Sequence, residues 1–200
     1  QVAKNKIDEM RTSLAASLRA VLLLSIPSMV GLIMLRKPIV TLLYGGKAFG
    51  VDSVDLVSWA LLGYSVGLVG HCLVEVISRA FYALHDTKTP VIVGVGAVTG
   101  NLVLSFIFSN VFSKIGWMPH GGLALANSTA TIVESIILLL LMKKKLIGLD
   151  ERSLAEALIK SIIASLGMLG VISLVERLIG IESSGQFLIS SIAAGGIAYG

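Results

Sequence analysis

The sequence predicts an all-α protein, a polytopic bundle of transmembrane helices, and three observations carry that prediction. Hydrophobic residues make up 55% of the 200 and charged residues only 14%, with a mean hydropathy of +0.91, whereas soluble domains carry nearer ~25% charged residues. The apolar residues arrive in runs that match the ~20 a helix needs to cross a hydrocarbon layer of about 30 Å. Runs such as "SIILLLLM" lack the two-residue alternation of a membrane barrel strand, which leaves helices.

The first helix starts in the amphipathic lead "NKIDEMRTSLAASLRA" and continues through "VLLLSIPSMVGLIML". Pro27 lies inside the apolar part; it lacks a backbone donor and crowds the preceding turn, so a kink or local break is expected there. After Arg36 and Lys37, "PIVTLLYGGKAFG" reads as a short interfacial helix ending in a glycine loop, too short to span. Residues 54–84 form the second span, longer than a perpendicular crossing needs and therefore tilted or projecting. Further spans are expected near residues 90–112, 122–142 and 154–174, and a sixth begins near Gln186. That gives five full spans and a truncated sixth. The chain opens at Gln1 without an initiator Met and stops inside the apolar "SIAAGGIAYG", so a piece of a longer protein is expected.

Alternate loops of such a bundle lie on opposite sides of the membrane, and basic residues favour the cytoplasm. Eleven of the 16 Lys and Arg fall with the opening lead, the "HDTKTP" loop and the "KKKLIGLDERS" loop, which are therefore placed inside. The segments "YGGKAFGVDS", "SKIGWMPHGG" and "ERLIGIESSG" face outward, with Trp59 and Trp117 at the outer boundary where aromatic belts form. Within "HDTKTP", Thr89 suits an N-cap, Pro90 the first helical position, and Asp86 the positive end of the helix dipole.

Several function classes fall away. The net charge of +4 and pI near 9.3 reflect basic residues at the ends of apolar runs, a topology signal and not a nucleic-acid footprint. Cys72 is the single cysteine, which rules out an intrachain disulfide and a cysteine metal cluster. His71, His85 and His120 lie in different regions, and His71 and Cys72 diverge by about 100° on a helix, so no metal site is expected. No phosphate-cradling loop, zinc-binding helix or nucleophile motif is present. Neither catalysis nor a cofactor is predicted.

Ionisable groups inside a span are costly, and each is a candidate for function. His71, Glu75 and Arg79 are spaced four apart and share one helix face, giving either a cavity-facing polar ladder or a neutralised pair that makes the helix tolerable. Glu134 follows Asn127 and Thr131 by two turns and one, with Ser135 beside it; this stripe lines a cavity or bonds a neighbouring helix. "GYSVG" at Gly63 to Gly67 and "GAVTG" at Gly96 to Gly100 are small-residue patterns suited to close helix approach.

Three strings together resemble one family. "RAFYALHDTKTPV", "PIVTLLYGGKAFGVDSV" and "HGGLALANSTATIVE" occur in the order found in the MurJ/MviN family of lipid II flippases. The likeness covers roughly residues 27–141, with the tail matching in hydrophobic pattern. It implies the C-terminal part of a two-lobe exporter of the multidrug/oligosaccharidyl-lipid/polysaccharide superfamily in the bacterial cytoplasmic membrane. Residues 1–145 would belong to the C-terminal transport lobe as four spans, and residues 146–200 would be two final spans forming a polyprenyl groove. The implied activity is flipping of the undecaprenyl-linked peptidoglycan precursor by alternating access, in partnership with a missing N-terminal lobe and membrane lipids. Coupling could use sodium, protons or the membrane potential. Some relatives hold sodium with an Asn, an acid one turn later and a hydroxyl from the next helix; this chain keeps Asn101 and offers Asn127, Ser128 or Thr131, but has Ser105 in the acid's place. A hard cation loses its one charged ligand by that exchange. The other readings are a polysaccharide flippase, a cation-coupled drug antiporter, or a non-transporting scaffold for cell-wall enzymes.

Overall fold

In the computed structural model, residues 2–44, 51–146, 148 and 150–179 are described. They form six helices: α1 (Val2–Tyr44), α2 (Val51–Val66), α3 (Leu68–Ala83), α4 (Lys88–Ile115), α5 (Pro119–Lys145) and α6 (Glu151–Ile179). Four of these are long and apolar enough to cross a membrane alone, and α2 with α3, bent by 43°, meets the same measure when the two are taken as one broken span. The expected sixth span near Gln186 and the "GGKAFG" loop lie outside the described residues.

Two expectations for the first half of the chain are corrected. The first helix has no break at Pro27, and no separate interfacial helix follows Lys37: α1 runs unbroken through Pro27 and Pro38 to Tyr44. Pro27 and Pro38 lack the N–H that would bond the carbonyls of Leu23 and Met34, while Ser28 Oγ donates to the adjacent Leu24 O at 2.7 Å and Arg36 Nη1 to Ile33 O at 2.6 Å. Leu35 of α1, with Val30 and Ile39 around it, also packs on Met168 and Ile172 of α6, which splints the helix across Pro38.

The second span is two helices and not one. At the junction the Gly67 amide bonds the Tyr64 carbonyl at 3.0 Å, one residue short of the α-helical partner. The carbonyl so released, that of Gly63, accepts the hydroxyl of Ser128 from α5 at 2.6 Å. A side chain inserted into the backbone ladder is a recognised cause of a sharp kink. The approach depends on glycine: a Cβ on Gly67 would lie 2.5 Å from Ser128 Oγ and 2.8 Å from its Cα, and one on Gly63 would lie 2.7 Å from the Ala124 Cβ. The "GYSVG" pattern is thus a close-packing seam. The "GAVTG" pattern is not, since Gly96 and Gly100 have nothing within 4 Å of a built Cβ.

α5 is the central helix, packing against α2, α3 and α4, while among the described elements α6 packs on α1 alone. Its buried residues are mostly small, including Gly121, Gly122, Ala124, Ala126, Ser128 and Ala130. Lipid tails are as apolar as leucine, so association inside a bilayer rests on close packing and interhelical hydrogen bonds, which small residues permit. At the charge-rich end Leu18 of α1, Ile77 and Phe81 of α3, and Leu138 and Met142 of α5 form a closed core. Ser161 Oγ of α6 donates to Leu22 O of α1 at 3.1 Å, and Arg19 Nη1 donates to Ser153 Oγ at 2.7 Å.

Replacing Ser128 with Ala should lower unfolding stability by about 0.6–2 kcal/mol, the range of one interhelical bond in a membrane. Gly67→Val should lower it further, by about 1–3 kcal/mol of overpacking strain. Thermal unfolding of the full-length protein in detergent measures both, and a Gly67→Val protein as stable as wild type would refute the seam.

Candidate functional site

The polar residues of the spans sort by which helix they meet. His71 lies on α3, and its Nε2 is 3.3 Å from Asn127 Nδ2 and 3.4 Å from Thr131 Oγ1, both on α5. Thr131 Oγ1 also donates to the Asn127 carbonyl at 3.0 Å. One turn further along α3, Glu75 Oε1 accepts from Arg79 Nη2 at 2.6 Å and Nε at 2.9 Å. The three-residue ladder expected on this face therefore exists, with its first rung tied to α5 and its other two tied to each other. The pair is 64% and 75% exposed, so none of this chain's described helices covers it.

Glu134 points the other way. With Val93, Gly96, Gly100, Ala130 and Ile137 it lines a cavity of about 320 Å³ between α4 and α5. Its Oε1 would touch a Cβ built on Gly94 at 3.4 Å. The stripe of Asn127, Thr131 and Glu134 is thus divided between two neighbours: the first two turn to α3, the carboxylate to α4.

Asn101 and Ser105 bond one another along α4, with Ser105 Oγ donating to Asn101 Oδ1 at 3.3 Å. Ser128 is engaged with the Gly63 carbonyl. These residues offer neutral oxygens only. Among the described residues no group of three or more His, Cys, Asp or Glu is placed to hold a metal ion.

The "HDTKTP" loop proves to be a clamp. α3 ends in a Schellman arrangement, with Asp86 N bonded to Phe81 O and His85 N to Tyr82 O, both at 3.0 Å, and His85 in the left-handed region at φ 57°. Glycine is the usual residue there. α4 begins at Lys88, and the capping side chain is Asp86, not Thr89 as the sequence suggests: Asp86 Oδ1 accepts from Thr89 N at 3.1 Å and Oδ2 from Thr89 Oγ1 at 2.8 Å. The helix starts two residues earlier than expected, at Lys88 and not Pro90, which moves Thr89 into its first turn. Lys145, at the end of α5, reaches the same carboxylate at 2.5 Å while lying 5.6 Å from the centre of the Phe81 ring. These bonds, led by that of Lys145, lower the Asp86 pKa from 3.8 to about 2.

A second cluster occupies the opposite end of the bundle. Lys37 of α1 pairs with Asp55 of α2 at 2.7 Å, and the rings of Trp59 and Trp117 meet edge to face at 5.6 Å. The two tryptophans assigned to one membrane boundary are thus in contact. The sequence reading did not single out this cluster as a site; its one signal was the shared boundary of the two indoles.

A bent bundle of helices long and apolar enough to cross a membrane several times, with an uncovered ion pair and a cavity-facing carboxylate, defines a polytopic membrane protein. A family model described as lipid II flippase MurJ matches residues 1–192, and the chain belongs to that family. It is 36% identical over 121 residues to the probable lipid II flippase MurJ of Vibrio cholerae, covering 60% of this chain and 22% of that one. With the lipid II flippase MurJ of Thermosipho africanus it shares 35% over 127 residues, 64% and 26% of the two chains. A solved lipid II flippase MurJ in an inward closed conformation superposes with a TM-score of 0.81 at 31% identity, covering 98% of this chain and 39% of that one. The chain thus spans well under half the length of these relatives. It is an all-helical, multi-pass segment of a cytoplasmic-membrane protein.

Because the folded pKa of Asp86 lies below its ordinary value, its contribution to stability is present above about pH 4 and is lost as pH falls through about 2. Asp86→Asn should therefore melt at a lower temperature than wild type at pH 7. The gap should close between about pH 4 and pH 2, and a gap independent of pH would rule out the clamp.

Proposed function

We propose that the complete protein carries lipid II from the inner to the outer leaflet of the cytoplasmic membrane by alternating access, and that this chain supplies helices of its C-terminal lobe. The match to the lipid II flippase family over residues 1–192 carries that reading. It favours lipid II over another polysaccharide, a drug or a scaffold role, and transport without a bond-making step over catalysis.

Physical chemistry supports the placement of the transport face. A charged side chain at the centre of a bilayer costs about 2.5–3.5 kcal/mol on insertion scales, so the open Glu75–Arg79 pair is tolerable facing water or another helix, and not lipid tails. We read the face of α3 that carries His71, Glu75 and Arg79 as lining the cavity shared with an N-terminal lobe. Glu134 belongs to the same lobe's interior. For coupling, a proton on Glu75 or Glu134 fits the available groups better than sodium on Asn101, Ser105, Ser128 or Thr131, which offer no charged oxygen. Residues 1–145 act as part of the lobe and residues 146–200 as an appended unit, a division supported by α6 packing on α1 alone among the described elements.

Glu75→Gln in the full-length protein should slow lipid II flipping in liposomes about tenfold, ~1.4 kcal/mol, at unchanged protein level and melting temperature. Equal losses of protein and activity would reduce the pair to a packing device. Topology has a separate check: a cysteine at Lys88, with Cys72 replaced, should resist an impermeant thiol reagent applied from outside, and rapid labelling would invert the orientation.

A further inference from the structure

The outer end of the bundle holds a cavity of about 440 Å³, bounded by Arg36 and Lys37 of α1, Asp55, Ser58 and Trp59 of α2, and Trp117 in the α4–α5 turn. Its charge is unbalanced. Lys37 is matched by Asp55, whereas Arg36 has no carboxylate partner among the described residues and bonds only the Ile33 carbonyl through Nη1. The remaining donors of the guanidinium fork have no such partner.

One wall of the cavity is aromatic and held in place. Trp117 is 53% exposed, yet the edge-to-face contacts to Trp59 at 5.6 Å and Phe112 at 5.3 Å fix it from two sides. Trp59 in turn packs on Gly121 so closely that a Cβ there would overlap the indole nitrogen. A large exposed ring held rigidly is an apolar contact surface that loses little entropy on binding.

The third observation concerns unmet donors. Ser58 is 1% exposed, and neither its hydroxyl nor the buried Trp59 Nε1 has a hydrogen-bond partner among the described residues. Leaving a buried polar group unpaired is costly, and such exceptions are rare enough to call for an explanation. A cation with free donors, a buried hydroxyl and a fixed indole face suit a ligand that joins anionic oxygens to a ring with apolar C–H faces.

We propose that this pocket binds the sugar-phosphate headgroup of a glycan-linked lipid at the outer surface. The inference rests on the transport reading above and adds to it a receiving site for cargo that has already crossed. A phospholipid headgroup of the glycerol or ethanolamine type would supply the phosphate but not the ring, so the aromatic wall decides for the glycan lipid.

Binding of radiolabelled N-acetylglucosamine 1-phosphate to the full-length protein in zwitterionic nanodiscs tests the proposal, with lipid II flipping assayed on the same preparations. Binding should saturate, weaken about tenfold in Arg36→Gln and weaken severalfold in Trp117→Leu. Ser58→Ala should weaken binding while raising the melting temperature of the ligand-free protein, because it removes an unpaired buried hydroxyl; this variant keeps the test independent of folding. Unchanged binding in Arg36→Gln overturns the proposal. So does equal competition by inorganic phosphate or by phosphatidylglycerol added to the discs, which would mark a free-phosphate or a phospholipid site. Flipping without binding sinks the receiving site alone, and binding without flipping sinks the transport reading alone.

Discussion

The arrangement of this bundle depends on one hydrogen bond and the close approach that makes it possible. Ser128 Oγ takes the Gly63 carbonyl at 2.6 Å, and it does so because Gly63 and Gly67 put no side chain between α2 and α5. In hydrocarbon a released backbone carbonyl has no water to turn to. The 43° bend between α2 and α3 is therefore stable only with α5 in place, and the bend sets the direction in which α3 carries His71, Glu75 and Arg79. The direction of that polar face is a consequence of packing at a point well outside it.

The two ends of the bundle use charge differently. At one end, Asp86 joins the end of α3, the start of α4 and the end of α5 through Thr89 and Lys145, so the polar loop between two apolar helices is a mechanical tie. At the other end, Lys37 and Asp55 satisfy each other while Arg36 bonds the Ile33 carbonyl of its own helix. Surface ion pairs contribute little to stability on their own. Asp86 differs because its carboxylate also caps a helix, joining local backbone to a distant element.

Much of this was legible in the sequence, and the limits have physical causes. Apolar run length located all five crossings because bilayer thickness imposes it, and basic-residue asymmetry placed "HDTKTP" and the two tryptophans at opposite ends. The ladder of His71, Glu75 and Arg79 followed from helical periodicity alone. The bend at Gly67 did not, since its cause is a serine more than sixty positions away on another helix. Pro27 and Pro38 misled for the converse reason: the rule for proline is local, whereas the packing of Leu35 on Met168 and Ile172 of α6 is a matter of context. Thr89 lost its place as the cap to Asp86 through a two-residue shift in where α4 begins, a boundary that propensity sets poorly. Ser58 gave no signal at all, because an unpaired hydroxyl is defined by what surrounds it.

The same contrast between close packing and open space runs along α5 itself. Toward α2 and α3 its small residues close on glycines, and the polar groups Asn127, Ser128 and Thr131 find partners across the seam. Toward α4 the glycines at 96 and 100 meet nothing within contact distance, and the space they leave is the cavity into which Glu134 projects. Small residues thus serve opposite ends on two faces of one helix: on one they allow contact, on the other they create volume. A carboxylate is tolerable on the second face only where that volume admits water or a partner group, because the other residues that line the cavity are apolar or glycine and α4 closes on α5 again at Gly122, where a Cβ would lie 2.8 Å from the Phe108 backbone.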